Sequence, residues 1–331
     1  LMSVSEWSKP IERGGVSSRV GEYSISSVGP GPRAAKHWAL AKKRGLRVLA
    51  KVQVNASWEL SALPWLPVMN LVAEHCSNLA AADVDGLMLS WTVGGYPSPN
   101  LELVRRMNIR PAPAAEEALR ATAANRYGEK AAPDVLQAWA AFSDAFREYP
   151  FHVSFVYRGP AQAGPSNPLW PRRTGYASTM VGFPYDDVDG WRGDYPAEIL
   201  ASQFEKVAAG WTRGLSFLER ARKRASTPQH RRNAREDLRI AEAAALHFRS
   251  IAAQARFTTA RNEFETGSIS AAERERAAAV IRKAAKEELD AARRLFTLAR
   301  EDSRIGYEAS NHYYYLPLDL AEKVVNCEFV M

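Results

Sequence analysis

Cysteine is scarce in this chain, and long hydrophobic runs are missing. Cys76 and Cys327 are too few for a disulfide-built fold or a cysteine-rich metal site. No run of about 20 apolar residues occurs, so the sequence predicts no transmembrane helix and no membrane partner. The histidines lack metal-ligand spacing, and no serine-hydrolase motif is present. We therefore expect neither a metal nor a cofactor, and chemistry carried by other side chains.

The amino end also lacks a recognisable signal peptide. Leu1 stands inside an apolar, strand-like run rather than before one. We interpret the chain as a fragment whose front half is missing. Its localisation is therefore unknown, with a periplasmic or secreted location open, and its oligomeric state is unknown as well.

Positive charge is in excess, at a formal net +7, and the excess is local. One predicted helix junction holds Arg220, Arg222, Lys223, Arg224, His230, Arg231, Arg232 and Arg235. Such a cluster suits a nucleic-acid or acidic-protein partner. It also suits a solvated turn between helices, which we favour because Glu219 and Glu236 dilute it and no nucleic-acid module accompanies it. We expect no nucleic-acid partner.

Residues 1–105 alternate short apolar segments with helical ones. Strands are predicted over 1–6, 46–55 and 86–91, with a Gly- and Ser-rich loop and a helix between the first two and a second helix before the third. This β-α-β-α-β order favours parallel neighbouring strands. We expect an α/β fold: the carboxyl-terminal part of a (β/α)8 barrel, with about three strands, followed by an α-helical bundle domain.

The rest of the chain divides into two further regions. Residues 106–196 are loop-rich, with one helix predicted over 134–148. Residues 197–331 contain three predicted helices, then an aromatic tail with a short helix; the helices span 197–225, 228–266 and 270–304. Pro228 near a helix start and Ser270 with Glu273 three residues later are typical amino-terminal signals. The sequence therefore predicts a partial barrel, a connecting region and a three-helix bundle with an aromatic tail.

The strand over 46–55 has one apolar face, formed by alternate residues from Val48 to Val54. Lys51 and Gln53 lie on the other face, which we expect to point into a polar barrel lumen. In the first strand, Met2 and Val4 are expected to face the helices, and Ser3 the lumen. In such a barrel the carboxyl ends of the strands build the active site.

Two glutamates follow predicted strand ends. Glu59 comes just after the strand ending at Asn55, and Glu6 ends the first strand. Two carboxylates roughly 5–5.5 Å apart are the machinery of a retaining glycosidase. We therefore regard Glu59 as the leading catalytic candidate and Glu6 as the second, the alternative for Glu59 being a residue that caps a turn or binds an arginine.

Aromatic and polar side chains accompany these carboxylates. The predicted substrate-binding residues are Trp7, Asn55, Trp58, Ser90, Trp91, Tyr96, Asn311 and His312. Aromatic faces stack on sugar rings, and amides and hydroxyls bond sugar hydroxyls. Each has a structural alternative: the aromatics fill the barrel top, the polar groups pin loops, and the segment NHYYY packs the bundle against the barrel. An oligosaccharide or glycan is the expected partner.

Several segments together resemble a known kind of protein. They are VSEW, GEYSISSVGPGP, KVQVNASWELSALPWLPV, GLMLSWTVGGYPSPNLE, GFPYDDVDGWRGDYP and RIGYEASNHYYY. They resemble an uncharacterised, planctomycete-type bacterial family of glycoside-hydrolase-like (β/α)8 proteins. That family is loosely similar to the family 20 and family 163 β-N-acetylglucosaminidases.

The resemblance implies a sugar substrate and glutamate catalysis. If the three strands are the sixth, seventh and eighth of a barrel, Glu59 matches the nucleophile position. The acid/base would then lie upstream, Glu6 would bind substrate, and the fragment alone would be inactive. The sequence thus predicts a retaining glycoside hydrolase fragment, with a non-catalytic carbohydrate-binding protein, or a helical interaction module using the basic junction, as alternatives.

Overall fold

A computed structural model describes residues 1–90, 96–109, 111–179, 182–265, 269–308 and 312–331, with His312 described by its backbone alone. The strands are β1 (Met2–Val4), β2 (Lys9–Arg13), β3 (Val16–Val20), β4 (Leu49–Val52), β5 (Gly86–Leu89), β6 (Tyr307–Glu308) and β7 (His312–Tyr313). The helices are α1 (Pro32–Lys43), α2 (Met69–Ala81), α3 (Pro99–Met107), α4 (Ala115–Tyr127), α5 (Ala132–Phe146), α6 (Val153–Arg158), α7 (Val188–Trp191), α8 (Ala197–Arg224), α9 (Pro228–Glu265), α10 (Ala271–Glu301) and α11 (Pro317–Val330).

The three predicted strands form one small parallel sheet in the order β1-β4-β5. This confirms the parallel arrangement expected from the alternating pattern. Within the described residues the sheet has three strands and is not closed into a barrel. Val48, Ala50, Val52 and Val54 are all buried, which confirms the apolar face of the central strand.

The facing of the first strand was predicted the wrong way round. Ser3 is in register with Ala50 on the helix-covered face, and its hydroxyl accepts a hydrogen bond of 2.8 Å from the indole of Trp38 in α1. Met2 is in register with Leu49 and is 52% exposed. A polar side chain can face a helix layer when an indole N–H satisfies its hydrogen bonding, as the indole of Trp38 does for Ser3.

A hairpin occupies part of the segment that was predicted as a loop. Strands β2 and β3 pair antiparallel around Gly14 and Gly15, whose φ angles are 57° and 75°. A tight turn with two residues at positive φ has a twist that matches the twist of the two strands of a hairpin. Glycine adopts positive φ without strain. The Gly-Gly pair therefore marks a turn, and the serine-rich stretch beside it is partly strand.

The helical region agrees closely with its predicted periodicity. Helices α8, α9 and α10 begin and end within three residues of the predicted bounds, and the capping box of Ser270 and Glu273 is present. Helix α9 packs against both α8 and α10, while α5 packs against α8 and α11 against α10. Residues 106–196 are more helical than predicted, because α4 and α6 accompany α5.

One continuous segment joins the sheet to the helices. Every residue from 50 to 69 is buried, including the whole stretch ELSALPWLPV that follows β4. Tyr149 donates a hydrogen bond to the carbonyl of Glu59, and Gly306 donates one to that of Ala62. The segment was expected to line an open rim, but elements from the middle and end of the chain cover it.

Candidate functional site

Glu59 lies in a cage of hydrogen-bond donors. Its carboxylate accepts bonds from the hydroxyls of Ser24 and Ser57 at 2.7 and 2.8 Å, from the backbone N–H of Ile25 at 2.6 Å, and from the hydroxyl and N–H of Ser26. Its exposed fraction is 0%. Burial raises the pKa of Glu59, and these bonds oppose the rise. The arrangement fastens the serine-rich loop to the segment after β4.

Glu6 is equally buried but much less well satisfied. Its Oε1 accepts a bond of 2.7 Å from the hydroxyl of Ser5 and lies 3.5 Å from Nε2 of His75, while its Oε2 has no hydrogen-bond partner. Burial raises the pKa of Glu6 to about 8, with a smaller contribution from the charge of Glu59. The two carboxyls therefore interact electrostatically, and Glu6 holds a proton near neutral pH.

Ser5 connects Glu6 to His75 of α2. The hydroxyl of Ser5 donates to Oε1 of Glu6, and its oxygen lies 2.9 Å from Nε2 of His75. Burial lowers the pKa of His75 to about 3, so the imidazole is neutral. Close backbone approach shapes this end of β1: a Cβ on Gly31 would lie 2.3 Å from the carbonyl oxygen of Trp7.

Most other predicted substrate-binding residues hold loops together. Asn55 donates to the carbonyl of Tyr96 at 3.0 Å and accepts a bond from Ser98, and the hydroxyl of Ser90 accepts from the N–H of Val54 at 3.3 Å. Trp58 is buried beside Tyr157, with ring centroids 6.5 Å apart. These contacts correspond to the loop-pinning and packing alternatives. Trp91 and Asn311 lie outside the described residues, as does the side chain of His312.

The aromatic tail meets the rest of the molecule through two tyrosines. The hydroxyl of Tyr314 accepts a bond of 3.2 Å from Ser61, and that of Tyr315 lies 2.8 Å from Nε2 of His247 in α9. Both rings are buried. This part of the tail therefore joins the segment after β4 to the helical region.

An open cleft of about 570 Å³ runs along the exposed face and free edge of β1. Its walls include Trp7, Glu22, Tyr23 and Lys51, with Met2 and Val4 at the sheet. Trp7 is partly exposed; Arg33 lies 3.8 Å from the centroid of one ring, and His37 meets it edge-on. Among the predicted binding residues that the structure describes, Trp7 alone lines this cleft.

The polar groups of the cleft come from different parts of the chain. The ammonium of Lys51 lies 4.9 Å from the ring centroid of Tyr23, and Tyr157 donates a hydrogen bond to Glu22. Lys51 reaches the exposed face of the sheet, as the alternation of β4 indicated. Glu22 and Tyr23 were missed, because the sequence places them in a loop and only the hairpin brings them back to β1.

The basic helix junction is partly neutralised. Arg220 and Arg224 lie 3.2 and 2.7 Å from Asp134, and Arg222 pairs with Glu219 at 2.6 Å. Among the described residues, no three His, Cys, Asp or Glu side chains gather as metal ligands would. No helix in the described part of the chain has both the length and the apolar character to span a membrane.

In comparisons with known proteins, no family model, no curated protein and no solved structure matches the chain.

Proposed function

We propose that this chain binds a saccharide in the cleft beside β1, as part of a carbohydrate-active protein built on a (β/α)8-type barrel. The cleft combines two aromatic side chains, Trp7 and Tyr23, with a carboxylate, Glu22, and an ammonium group, Lys51. Aromatic faces pack against the C–H faces of sugar rings, and charged groups bond their hydroxyls. This combination in one open cleft is the observation that carries the proposal.

The position of the cleft supports the barrel interpretation. Three parallel strands have α1 and α2 between them in sequence, and the sheet face that carries Met2, Leu49 and Met88 stays open. Parallel sheets in α/β proteins are normally covered on both faces, and in a barrel the uncovered face becomes the interior. The cleft also reaches Trp7, which follows the carboxyl end of β1, and the carboxyl ends of the strands are where a barrel protein holds its ligand.

Hydrolysis is a second candidate, and one observation favours it. Glu6 directly precedes Trp7 of the cleft, has a pKa raised to about 8 and carries an unpartnered Oε2. A carboxyl that keeps its proton at neutral pH suits a general acid in glycoside hydrolysis. Glu59 suits the nucleophile role poorly, because at least four donors hold its carboxylate, whereas Glu6, which is equally buried, has one oxygen without a partner.

Calorimetry with chitotetraose and cellotetraose tests the binding proposal. We expect saturable binding to the protein, and Trp7→Ala should weaken it by about tenfold through the lost stacking. The matched control is Tyr176→Ala, which removes a 75% exposed ring from another surface. The absence of saturable binding, or equal affinities for Trp7→Ala and Tyr176→Ala, would reject the proposal.

Turnover separates the second candidate from the first. If Glu6 is the acid, p-nitrophenyl β-N-acetylglucosaminide is hydrolysed by the protein and about 100-fold more slowly by Glu6→Gln. Binding of the oligosaccharides without any turnover would leave the binding function and exclude hydrolysis of this substrate by this chain.

A further inference from the structure

A second concave surface lies far along the chain from the sheet cleft, in the helical region. It is a groove of about 860 Å³ between α8 and α10, with α9 as its base. Alanines from all three helices line it, among them Ala209, Ala245, Ala253 and Ala291. Small side chains leave room here for an occupant with a slender apolar body.

The charges that line the groove are mostly negative. Five carboxylates face two guanidinium groups, and no lysine is found among the described residues of its lining. One of the two, Arg294, is held by both oxygens of Glu242 at 2.6 Å. The other carboxylates also have cationic partners beside the lining, among them Arg256 for Glu205 and Lys286 for Asp290, so the groove as a whole carries little net charge. Attraction for a cation therefore depends on a carboxylate oxygen that is left without a partner.

Glu288 lines the groove, and only one of its two carboxylate oxygens has a hydrogen-bond partner. Its exposed fraction is 0%, and its Oε2 binds the ammonium of Lys323 from α11 at 2.6 Å. Lys323 is also fully buried and donates to the carbonyl of Asn167. The other oxygen of Glu288, Oε1, has no hydrogen-bond partner in the protein. A buried carboxylate oxygen left unpaired costs free energy that an incoming donor recovers.

We propose that this groove binds a linear aliphatic amine, whose primary ammonium group donates to Oε1 of Glu288 while its methylene chain lies along the alanines. An ammonium group has three donors and no acceptor, which matches an unpaired carboxylate oxygen. The site is independent of the saccharide cleft.

A titration with spermidine, measured by calorimetry, tests this site. Ala209 is exposed and lines the groove, so Ala209→Leu fills it without disturbing buried packing. We expect this variant to bind spermidine at least about tenfold more weakly, the cost of losing a charge-assisted bond. The matched control is Ala279→Leu, the same change at an exposed position of α10 outside the groove, which should bind as the unmodified protein does.

Two further measurements separate the proposal from general attraction between charges. Glu288→Gln should weaken spermidine binding by about tenfold if it folds, and 1,4-butanediol, which has no ammonium, should not bind. Should Glu288→Gln fail to fold because Lys323 loses its partner, Ala209→Leu still decides. Equal affinities for Ala209→Leu and Ala279→Leu, or no saturable spermidine binding, would overturn the proposal.

Discussion

At the scale of single residues, Glu6 and Glu59 show that the same residue type serves two different needs. Both carboxyls are fully buried. Glu59 receives hydrogen bonds at both oxygens from the serine-rich loop, so its interactions are structural. Glu6 receives one at Oε1 and none at Oε2, and its neighbour His75 is neutral. A buried carboxyl with few donors keeps its proton, and that makes stability depend on pH.

Glu6 should make the protein less stable as pH rises from about 4.5 to about 8. Its pKa is about 8 in the folded state, against 4.5 for the ordinary group, so unfolding releases its proton between these values. The free energy of unfolding therefore falls with rising pH by about 1 kcal/mol per unit. In Glu6→Gln the part of this dependence that Glu6 contributes should be absent, so the difference in free energy of unfolding between parent and variant should change with pH, which urea unfolding at pH 6.5 to 8 will measure.

The comparison with the parent removes the opposing contribution of the histidines. His75 and His247 have folded-state pKa values lowered from 6.5 to about 3 and about 4, so they weaken the fold as pH falls through 6.5, and they do so equally in the parent and in Glu6→Gln. Glu117→Gln, at an exposed position, is the control and should keep the pH dependence of the parent. Parallel curves for Glu6→Gln and the parent would contradict an elevated pKa.

At the scale of elements, close approach between helices depends on two glycines of α8. A Cβ on Gly214 would lie 2.3 Å from Cε1 of Phe142 in α5, and one on Gly210 would lie 2.5 Å from Cβ of Ala145. Contacts this short do not occur between real atoms, so larger residues would push α5 and α8 apart. The spacing of four residues places both glycines on one helix face.

Gly214→Ala should therefore destabilise the protein, although alanine is the better helix former. Overpacking of this kind costs about 1–3 kcal/mol, more than the about 1 kcal/mol that alanine gains in an exposed helix. Thermal unfolding measures the difference. Ser216→Ala, on the exposed face of α8, should change stability little, and adding Phe142→Leu to Gly214→Ala should recover part of the loss. A stabilised Gly214→Ala would show that the contact is not tight.

Elements with a local signal could be predicted from the sequence, and contacts between distant elements could not. The bounds of α8, α9 and α10 followed from periodicity and from the Ser270 cap. The burial of Glu59 did not, because its cover comes from residues more than 30 positions away, such as Ser24, and 90 positions away, Tyr149. The cleft was missed for the same reason, since Glu22 reaches it through a hairpin.

At the scale of the whole molecule, the buried segment after β4 connects the sheet to the helices. Gln162 is central to this connection and is 1% exposed. Its Oε1 accepts from the N–H of Ser61 at 2.6 Å and from that of Ala62 at 3.2 Å, and its Nε2 donates to the carbonyl of Trp58 at 2.6 Å. One side chain thus satisfies three backbone groups of a buried loop, which has no helix or strand to satisfy them.

This connection should make the sheet and the helices unfold together. Gln162→Leu keeps the volume roughly but leaves those three backbone groups unpaired, at about 1–3 kcal/mol for each group. We expect the midpoints of denaturant unfolding to fall by the same amount whether followed by tryptophan fluorescence or by far-UV circular dichroism. The control Gln229→Leu, at an exposed position of α9, should leave both midpoints in place. If Gln162→Leu shifted only one of the two signals, the sheet and the helices would be separate cooperative units, and the buried segment would merely lie between them.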